Sequence, residues 1–437
     1  MFSRKAITKL GVVVLLVALC APMAHADNRY IVRHSRGLLG INLSCLLLGC
    51  TVQYGLGDSA GQLYLISAPS TQNPVVFLLR LLLDPGVLDA EPDLPVQINS
   101  GSVPGAVPDA LYDKAPMTYY GATVRHGYVN QPATQIIGLS GAQTGFRVSG
   151  GGVVAVIDTG VDTHHAVLQS VLLPGYDFTS NANGADETGG VSQSTAAVLD
   201  GGDPVFVNQS TAAVLDQSTA AVLDGSGFSA YGHGTMVAGL VHLVAPTARI
   251  LPLRAFGPDG SGKVSDVIRA IYYAANHGAT VINMSFSFNT PSLEVTSAVN
   301  YAVLRGAVPV AAAGNDGQNT RVYPAANSNV IGVASTTNFD TRSTFSNYGS
   351  MVFVAAPGEG VVTLYPNNTY AAGWGTSFST PLVSGTIALL QATHSGCDEY
   401  HCSSAVGNAQ WISTELGHGR IDEYQAIRAW RTANRMP

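Results

Sequence analysis

A serine, a histidine, a carboxylate and a carboxamide stand at four distant points of the chain, each at the edge of an apolar segment that can hold it still. Ser377 lies in Gly375-Thr376-Ser377-Phe378-Ser379-Thr380-Pro381, where a glycine-permitted turn enters an apolar helix. A hydroxyl is a weak nucleophile at its own pKa, so it needs a general base and a group that orients the base. Val154-Ala155-Val156-Ile157-Asp158-Thr159-Gly160 ends an apolar run with a carboxylate, and Gly232-His233-Gly234-Thr235-Met236-Val237-Ala238-Gly239 opens a small-residue helix with an imidazole. The three side chains together suit acyl transfer. Ala311-Ala312-Ala313-Gly314-Asn315-Asp316-Gly317 adds a neutral amide donor at the end of an apolar strand. Such a donor stabilises negative charge on a carbonyl oxygen without competing for the proton carried by the base.

Each segment alone has a plainer reading. Asp-Thr-Gly is also the active-site turn of aspartic proteases, but those chains need two such turns and this one has a single copy. A helix-opening His-Gly can be a cap, and Asn315 can close an Asx turn. Their order, Asp158, His233, Ser377, accompanied by Asn315, resembles that of the subtilisin-like serine proteases and differs from the orders of chymotrypsin and the α/β-hydrolases. The resemblance spans about Gly127 to Asn434.

The resemblance implies a serine endopeptidase acting on protein or peptide substrates. Asn315 and the Ser377 N–H would form its oxyanion hole. Gly260-Ser261-Gly262 and Ser285-Phe286-Ser287 match the two backbone segments that flank an extended peptide. Ser287 stands where glycine is usual and should narrow the primary pocket, while Asp316 adds negative charge near it. No organic cofactor is implied; calcium often stabilises this family, but the sequence offers no assignable ligand cluster. His164, His165 and His242 lack a partner pattern and read as structural or surface residues. A transpeptidase or ligase would use the same triad, and a non-catalytic adhesin displaying repeats would share the fold; the complete catalytic set argues against the adhesin.

The elements that must position these residues alternate. Val153 to Asp158, Arg249 to Arg254, Val281 to Ser285, Val308 to Ala313, Val330 to Ala334 and Val352 to Ala356 are short and apolar on both faces, as buried parallel strands are. Thr235 to Val244, Val264 to His277 and Leu293 to Arg305 have helical spacing. The pattern predicts an α/β fold with a doubly wound, mostly parallel sheet whose ligands sit beyond the strand C-termini.

Upstream, Arg4, Lys5 and Lys9 precede the apolar run Leu10 to Leu19 and the small-x-small site Ala24-His25-Ala26, which predicts a signal peptide over 1–26 and a secreted protein. The run is too short to span a bilayer, and no later segment predicts a membrane anchor. The formal charge is −7 before those three cations leave, which argues against nucleic acid as a partner. Residues 27–97 read as a small α+β, ferredoxin-like domain, with Tyr30-Ile31-Val32-Arg33 as an edge strand, Leu63 to Ile66 as a strand and Val75 to Leu83 as a helix. Its last run, Gly86 to Asp93, resembles the end of the inhibitory propeptides of subtilisin-like precursors, making this segment an expected partner of the catalytic domain. Residues 98–126 read as a processing linker and 127–437 as the catalytic domain.

Cys45 with Cys50, and Cys397 with Cys402, each enclose four residues and predict two local disulfides in an oxidising compartment. Zinc held by His394, Cys397, His401 and Cys402 would need a spacing that is absent, so no metal site is assigned. Between acid and base lies an array over 193–224: Gln-Ser-Thr-Ala-Ala-Val-Leu-Asp occurs at Gln193–Asp200, Gln209–Asp216 and Gln217–Asp224, with Gly201 to Asn208 as a diverged slot in the same register. Eight is a multiple of the strand period, which permits a small β structure. Replication of a tolerated surface insertion is the favoured expectation, because loops accept length cheaply.

Overall fold

A computed structural model of the chain describes residues 28–98, 107–188, 205–207, 212–215, 230–393 and 397–435. The expected signal segment, His394 and the octapeptides Gln193–Asp200 and Gln217–Asp224 lie outside the described residues. The chain divides into two compact units, one of residues up to 95 with 263–272, the other of 96–262 with 273–437.

The first unit runs strand, helix, strand, strand, helix, strand: Asn28–His34, Gly37–Leu48, Thr51–Gly55, Leu63–Ala68, Pro74–Leu83 and Val87–Pro92. This is the split βαβ order of ferredoxin-like domains. Asn28–His34 pairs on one side with Leu63–Ala68 and on the other with Val87–Pro92, both antiparallel. It is therefore a central strand, not the edge strand expected from Tyr30 to Arg33. The reason is that Val87–Pro92 is itself a strand, a role its Asp and Glu residues conceal. Asn73 caps the Pro74 helix by accepting from the N–H groups of Val75 and Val76. Asp93 accepts from the N–H and hydroxyl of Ser265 at the start of the helix Val264–Asn276, and Arg29 pairs with it at 2.9 Å. Cys45 and Cys50 are joined.

The second unit is built on an eight-stranded sheet in the order Ala182–Asn183, Tyr176–Asp177, Arg249–Arg254, Val153–Asp158, Val281–Met284, Val308–Ala312, Ile331–Thr336 and Val354–Pro357. Every pairing is parallel except that of the first two. The interior strands are buried along almost their whole length, which explains why they read as continuous apolar runs. Val153–Asp158 has Arg249–Arg254 on one side and Val281–Met284 on the other, so the chain reverses its direction of travel across the sheet there. A crevice opens at such a switch point, beyond the strand C-termini. The helices His233–Val244 and Thr376–Thr393 pack closely, with Gly385 against Val244, where a Cβ would meet a methyl carbon at 2.9 Å.

Within the expected linker, residues 107–126 form a helical turn, Asp109–Tyr112, and a hairpin of Pro116–Tyr119 with Ala122–Arg125. Leu111, Tyr119 and Val124 are buried in the core of this unit. Cys397 and Cys402 are joined, so their sulfurs are not free for zinc. Among the described residues no helix is long and apolar enough to cross a membrane.

The array departs from the loop expectation where it is described. Val205–Val207, from the diverged slot, pairs antiparallel with Ala212–Leu215, from the next octapeptide. Ala212–Leu215 in turn pairs antiparallel with Thr369–Gly373, the strand that runs toward Ser377, in the register Ala212 to Gly373 through Leu215 to Tyr370. Val205–Val207 falls at positions 5–7 of the eight-residue frame and Ala212–Leu215 at positions 4–7, an overlap that an even repeat allows. Because Gln209–Asp216 and Gln217–Asp224 are identical and adjacent, removing either gives the same protein with this hairpin sequence intact. Removal of one copy is expected to leave the amides of Thr369–Gly373 as protected from hydrogen exchange as before, since halving a loop changes closure by only about 0.6 kcal/mol. Loss of that protection would show that the array's length, and not its local strand, secures the pairing.

Candidate active site

The carboxylate and the imidazole meet because two turns touch backbone to backbone. Gly160, at φ +102, follows Asp158-Thr159, and Gly234 follows His233. A Cβ on Gly234 would sit 1.8 Å from the Gly160 carbonyl oxygen, and one on Gly160 would sit 2.5 Å from that of Ala185. The Gly234 N–H donates to the Thr159 hydroxyl at 3.0 Å. With the turns in contact, His233 Nδ1 lies 2.7 Å from Asp158 Oδ1, and both side chains are buried. The Thr159 N–H also donates to Asp158 Oδ1, at 2.8 Å. The Nδ1 proton is held by the carboxylate, which leaves Nε2 as the basic position. Nε2 is buried and makes no hydrogen bond among the described residues.

Ser377 opens the helix Thr376–Thr393 after Gly375, whose φ of +146 suits glycine. Pro381 lies inside this helix. Having no N–H, it cannot bond the carbonyl four residues back, which is that of Ser377. The Ser285 hydroxyl bonds that carbonyl instead, at 2.9 Å, and the Ser377 hydroxyl donates to the Ser285 carbonyl, also at 2.9 Å. Asn283 donates to the Ser285 hydroxyl and accepts from Ser384, so the strand end and the helix are laced together.

Asn315 follows the strand Val308–Ala312 and is only partly buried. Its Oδ1 accepts from the N–H and hydroxyl of Thr376 at 2.9 and 3.0 Å, which holds the carboxamide against the residue that precedes Ser377. Buried Asn347 holds the adjoining loop: its Oδ1 accepts from the N–H groups of Asp316 and Gln318, and its Nδ2 donates to Asp316 Oδ2 at 3.2 Å. Asp316 is thus exposed but tied back to Asn347. A Cβ on Gly314 would lie 3.2 Å from the Ser287 hydroxyl, so Ser287 fills space beside the amide turn. Phe286 is buried against Phe256 at 4.9 Å between centroids. Gly260 has φ +78, and Gly262 bridges to Phe256. Ile98 donates its N–H to the Gly260 carbonyl at 2.9 Å, and Gln97 Nε2 donates to that of Asp259 at 2.7 Å.

Glu187 is a buried carboxylate that the motifs do not mark. It accepts from Thr159 Oγ1, from the N–H groups of Gly232 and Thr235, and from the Thr235 hydroxyl. Burial pushes its carboxyl up to about 7, against the pull of these donors. Asn283 and Asn347 likewise lie outside the motifs, and Thr159, Thr235 and Thr376 stand within them without an assigned role, because what each of them bonds is set by the third dimension. His242 is buried and pushed down to about 4 by that burial, and His165 is lowered for the same reason, consistent with structural roles.

Asp162, His164 and Asp186 place three ligand-type atoms within 4.8 Å of one another. Calcium prefers six to eight oxygens. Here one of three groups is an imidazole, both Asp162 oxygens already accept from His164 N–H and Asn367 N–H, and Asp186 Oδ1 accepts from Thr188. The donor set does not fit that ion.

Residues 149–419 match the profile of the Subtilase family of peptidases. The thermophilic serine proteinase of Bacillus sp. (strain AK1) is 37% identical over 283 residues, which is 64% of this chain and 62% of that protein. Thermitase of Thermoactinomyces vulgaris is 36% identical over 282 residues, 64% of this chain and 89% of that protein. A crystal structure of a lanthipeptide protease shares the fold, with a TM-score of 0.54 at 22% identity over 68% of this chain and 94% of that one.

Gly234→Ala tests the contact on which the site is built. The added methyl has no room against the Gly160 carbonyl, so the variant should lose about 1–3 kcal/mol or more of stability in denaturant unfolding and lose the Asp158–His233 pairing. A variant as stable as the parent, with the imidazole signal unchanged in NMR, would refute the contact.

Proposed function

Because the chain belongs to the subtilase family, a family of serine peptidases, we propose that it is a secreted endopeptidase made as an inhibited precursor and working through Asp158, His233, Ser377 and Asn315. The observation that carries this reading is the buried Asp158–His233 pair with Nε2 left basic, placed at the sheet's switch point together with Ser377 and Asn315.

In the reaction, His233 Nε2 takes the Ser377 proton as Oγ attacks the scissile carbonyl carbon. The oxyanion of the tetrahedral intermediate is stabilised by the Asn315 amide and the Ser377 N–H. His233 then protonates the leaving amine, the C–N bond breaks, and an acyl-enzyme remains. Water, deprotonated by His233, repeats the cycle and frees Ser377. Asp158 keeps the imidazole in its tautomer and offsets its positive charge. Substrate would lie extended along Gly260-Ser261-Gly262 and Ser285-Phe286-Ser287, with Ser287 restricting the primary pocket.

The precursor reading is supported by Gln97 and Ile98, which bond the Asp259 and Gly260 carbonyls along the segment assigned to substrate. A chain held there blocks the cleft by main-chain pairing, as a strand-adding peptide does. Because Leu111 belongs to the core of the second unit, the processed bond should lie between Ile98 and Leu111.

Ser377→Ala should abolish peptide hydrolysis and fluorophosphonate labelling while the protein stays folded; a folded variant that still labels removes the triad assignment. Asn315→Ala should lower kcat by about 10² to 10³ at little change in KM, the loss known for the corresponding amide of subtilisin.

The Ser377→Ala precursor should also accumulate uncut, and residues 27–97 added as a separate chain should inhibit the processed enzyme. Normal processing of that variant would assign the cut to another protease.

A further inference from the structure

Glu187 is buried beside the triad, yet acyl transfer gives it no task. Its position in the chain is informative. Glu187 precedes the octapeptide array, whereas Gly232 and Thr235 follow it, and Thr159 adjoins Asp158. One oxygen, Oε2, accepts from Thr159 Oγ1 at 2.9 Å and Gly232 N–H at 3.0 Å; the other, Oε1, accepts from the Thr235 N–H at 2.9 Å and from its hydroxyl. Four donors converge on two oxygens, the full acceptor capacity of a carboxylate. We propose that Glu187 is a positioning residue that staples the chain leaving Asp158 to the chain entering His233, and so isolates the catalytic pair from the insertion between them.

The physical argument concerns where the two ends of a long insertion are joined. Asp158 and His233 are 75 residues apart in sequence. Without Glu187, the base would be closed only a few residues from the pair, by bonds such as Gly234 N–H to Thr159 Oγ1 at 3.0 Å and Asp162 N–H to Thr235 Oγ1 at 2.7 Å, so any displacement there would bear directly on the 2.7 Å contact. With Glu187 bonded to Gly232 and Thr235, the loop is closed before it reaches the triad, and its length is felt only beyond the staple. Two of the donors, the N–H groups of the N-cap Gly232 and of Thr235 in the first turn, stand at the N-terminus of the His233 helix, where a carboxylate is favoured by the helix dipole. Asp158 on the neighbouring strand and the phenols of Tyr231 and Tyr365 are the titratable groups that share this interior with Glu187 and His233.

The inference rests on the peptidase reading, and the test separates the two. Glu187→Gln and Glu187→Asp are made in the full-length chain, alone and with one octapeptide, Gln217–Asp224, removed. For each processed enzyme, kcat and KM on a short peptide and the melting temperature are measured at pH 9. Glu187→Gln should lower kcat at least tenfold with KM within twofold, because one oxygen becomes an NH2 that opposes either the Gly232 or the Thr235 N–H, and Glu187→Asp should lie between it and the parent. Shortening the array should leave kcat unchanged with Glu187 present and alter it severalfold in Glu187→Gln. If Glu187→Gln fails to fold, Glu187→Asp decides alone: lowered kcat at unchanged KM supports the staple, parental kcat overturns it. A Glu187→Gln enzyme that melts earlier but keeps parental kcat also overturns it. A parent that hydrolyses no peptide would instead overturn the peptidase reading.

Discussion

The close approach of Gly160 to Gly234 is the constraint on which the site depends. The turn at His233 can approach the Gly160 carbonyl that closely only because Gly234 carries no side chain, while a side chain on Gly160 would strike the Ala185 carbonyl on its other side, and the contact fixes the spacing of the residues beside them. Asp158 and His233 then need no search for each other: strand and helix deliver them to hydrogen-bond distance with their rotamers confined by burial. Burial also raises the worth of the interaction, since a carboxylate and an imidazole shielded from water interact more strongly than on a surface.

Ser377 is placed by a different device. Pro381 leaves the Ser377 carbonyl without its helical partner, and Ser285 supplies one from the end of the next strand. Helix and sheet are thereby cross-linked at the residue that must not drift. The same neighbourhood fixes Asn315, through Thr376, which adjoins Ser377. His233, Ser377 and Asn315 are each tied to a separate strand end, so their geometry is a property of the sheet rather than of any one loop.

How much of this was legible follows from the range of the interactions involved. Ser377, His233, Asp158 and Asn315 sit in short motifs whose glycines and small residues are themselves consequences of close packing, so the packing leaves a trace in sequence. The buried strands were legible for the same reason, differing from expectation by a residue or two where an apolar residue continues past the last ladder pair, as Ala313 does. Asn28–His34 was misplaced at an edge because its second neighbour, Val87–Pro92, mixes acidic and apolar residues. Glu187 left no trace at all, since its partners are 28 to 48 residues away and an acid before a loop is commonplace. The strands within the array were underestimated because their partner, Thr369–Gly373, lies far downstream.

The tandem octapeptides carry a consequence for inheritance. Identical adjacent copies invite slippage during DNA replication, and each gain or loss adds or removes eight residues. Since a strand alternates its faces with period two, every such event leaves the pairing against Thr369–Gly373 in phase. A lineage can therefore lengthen or shorten this part of the chain repeatedly, without passing through a misregistered intermediate, so copy number is a character that selection can adjust in single mutational steps.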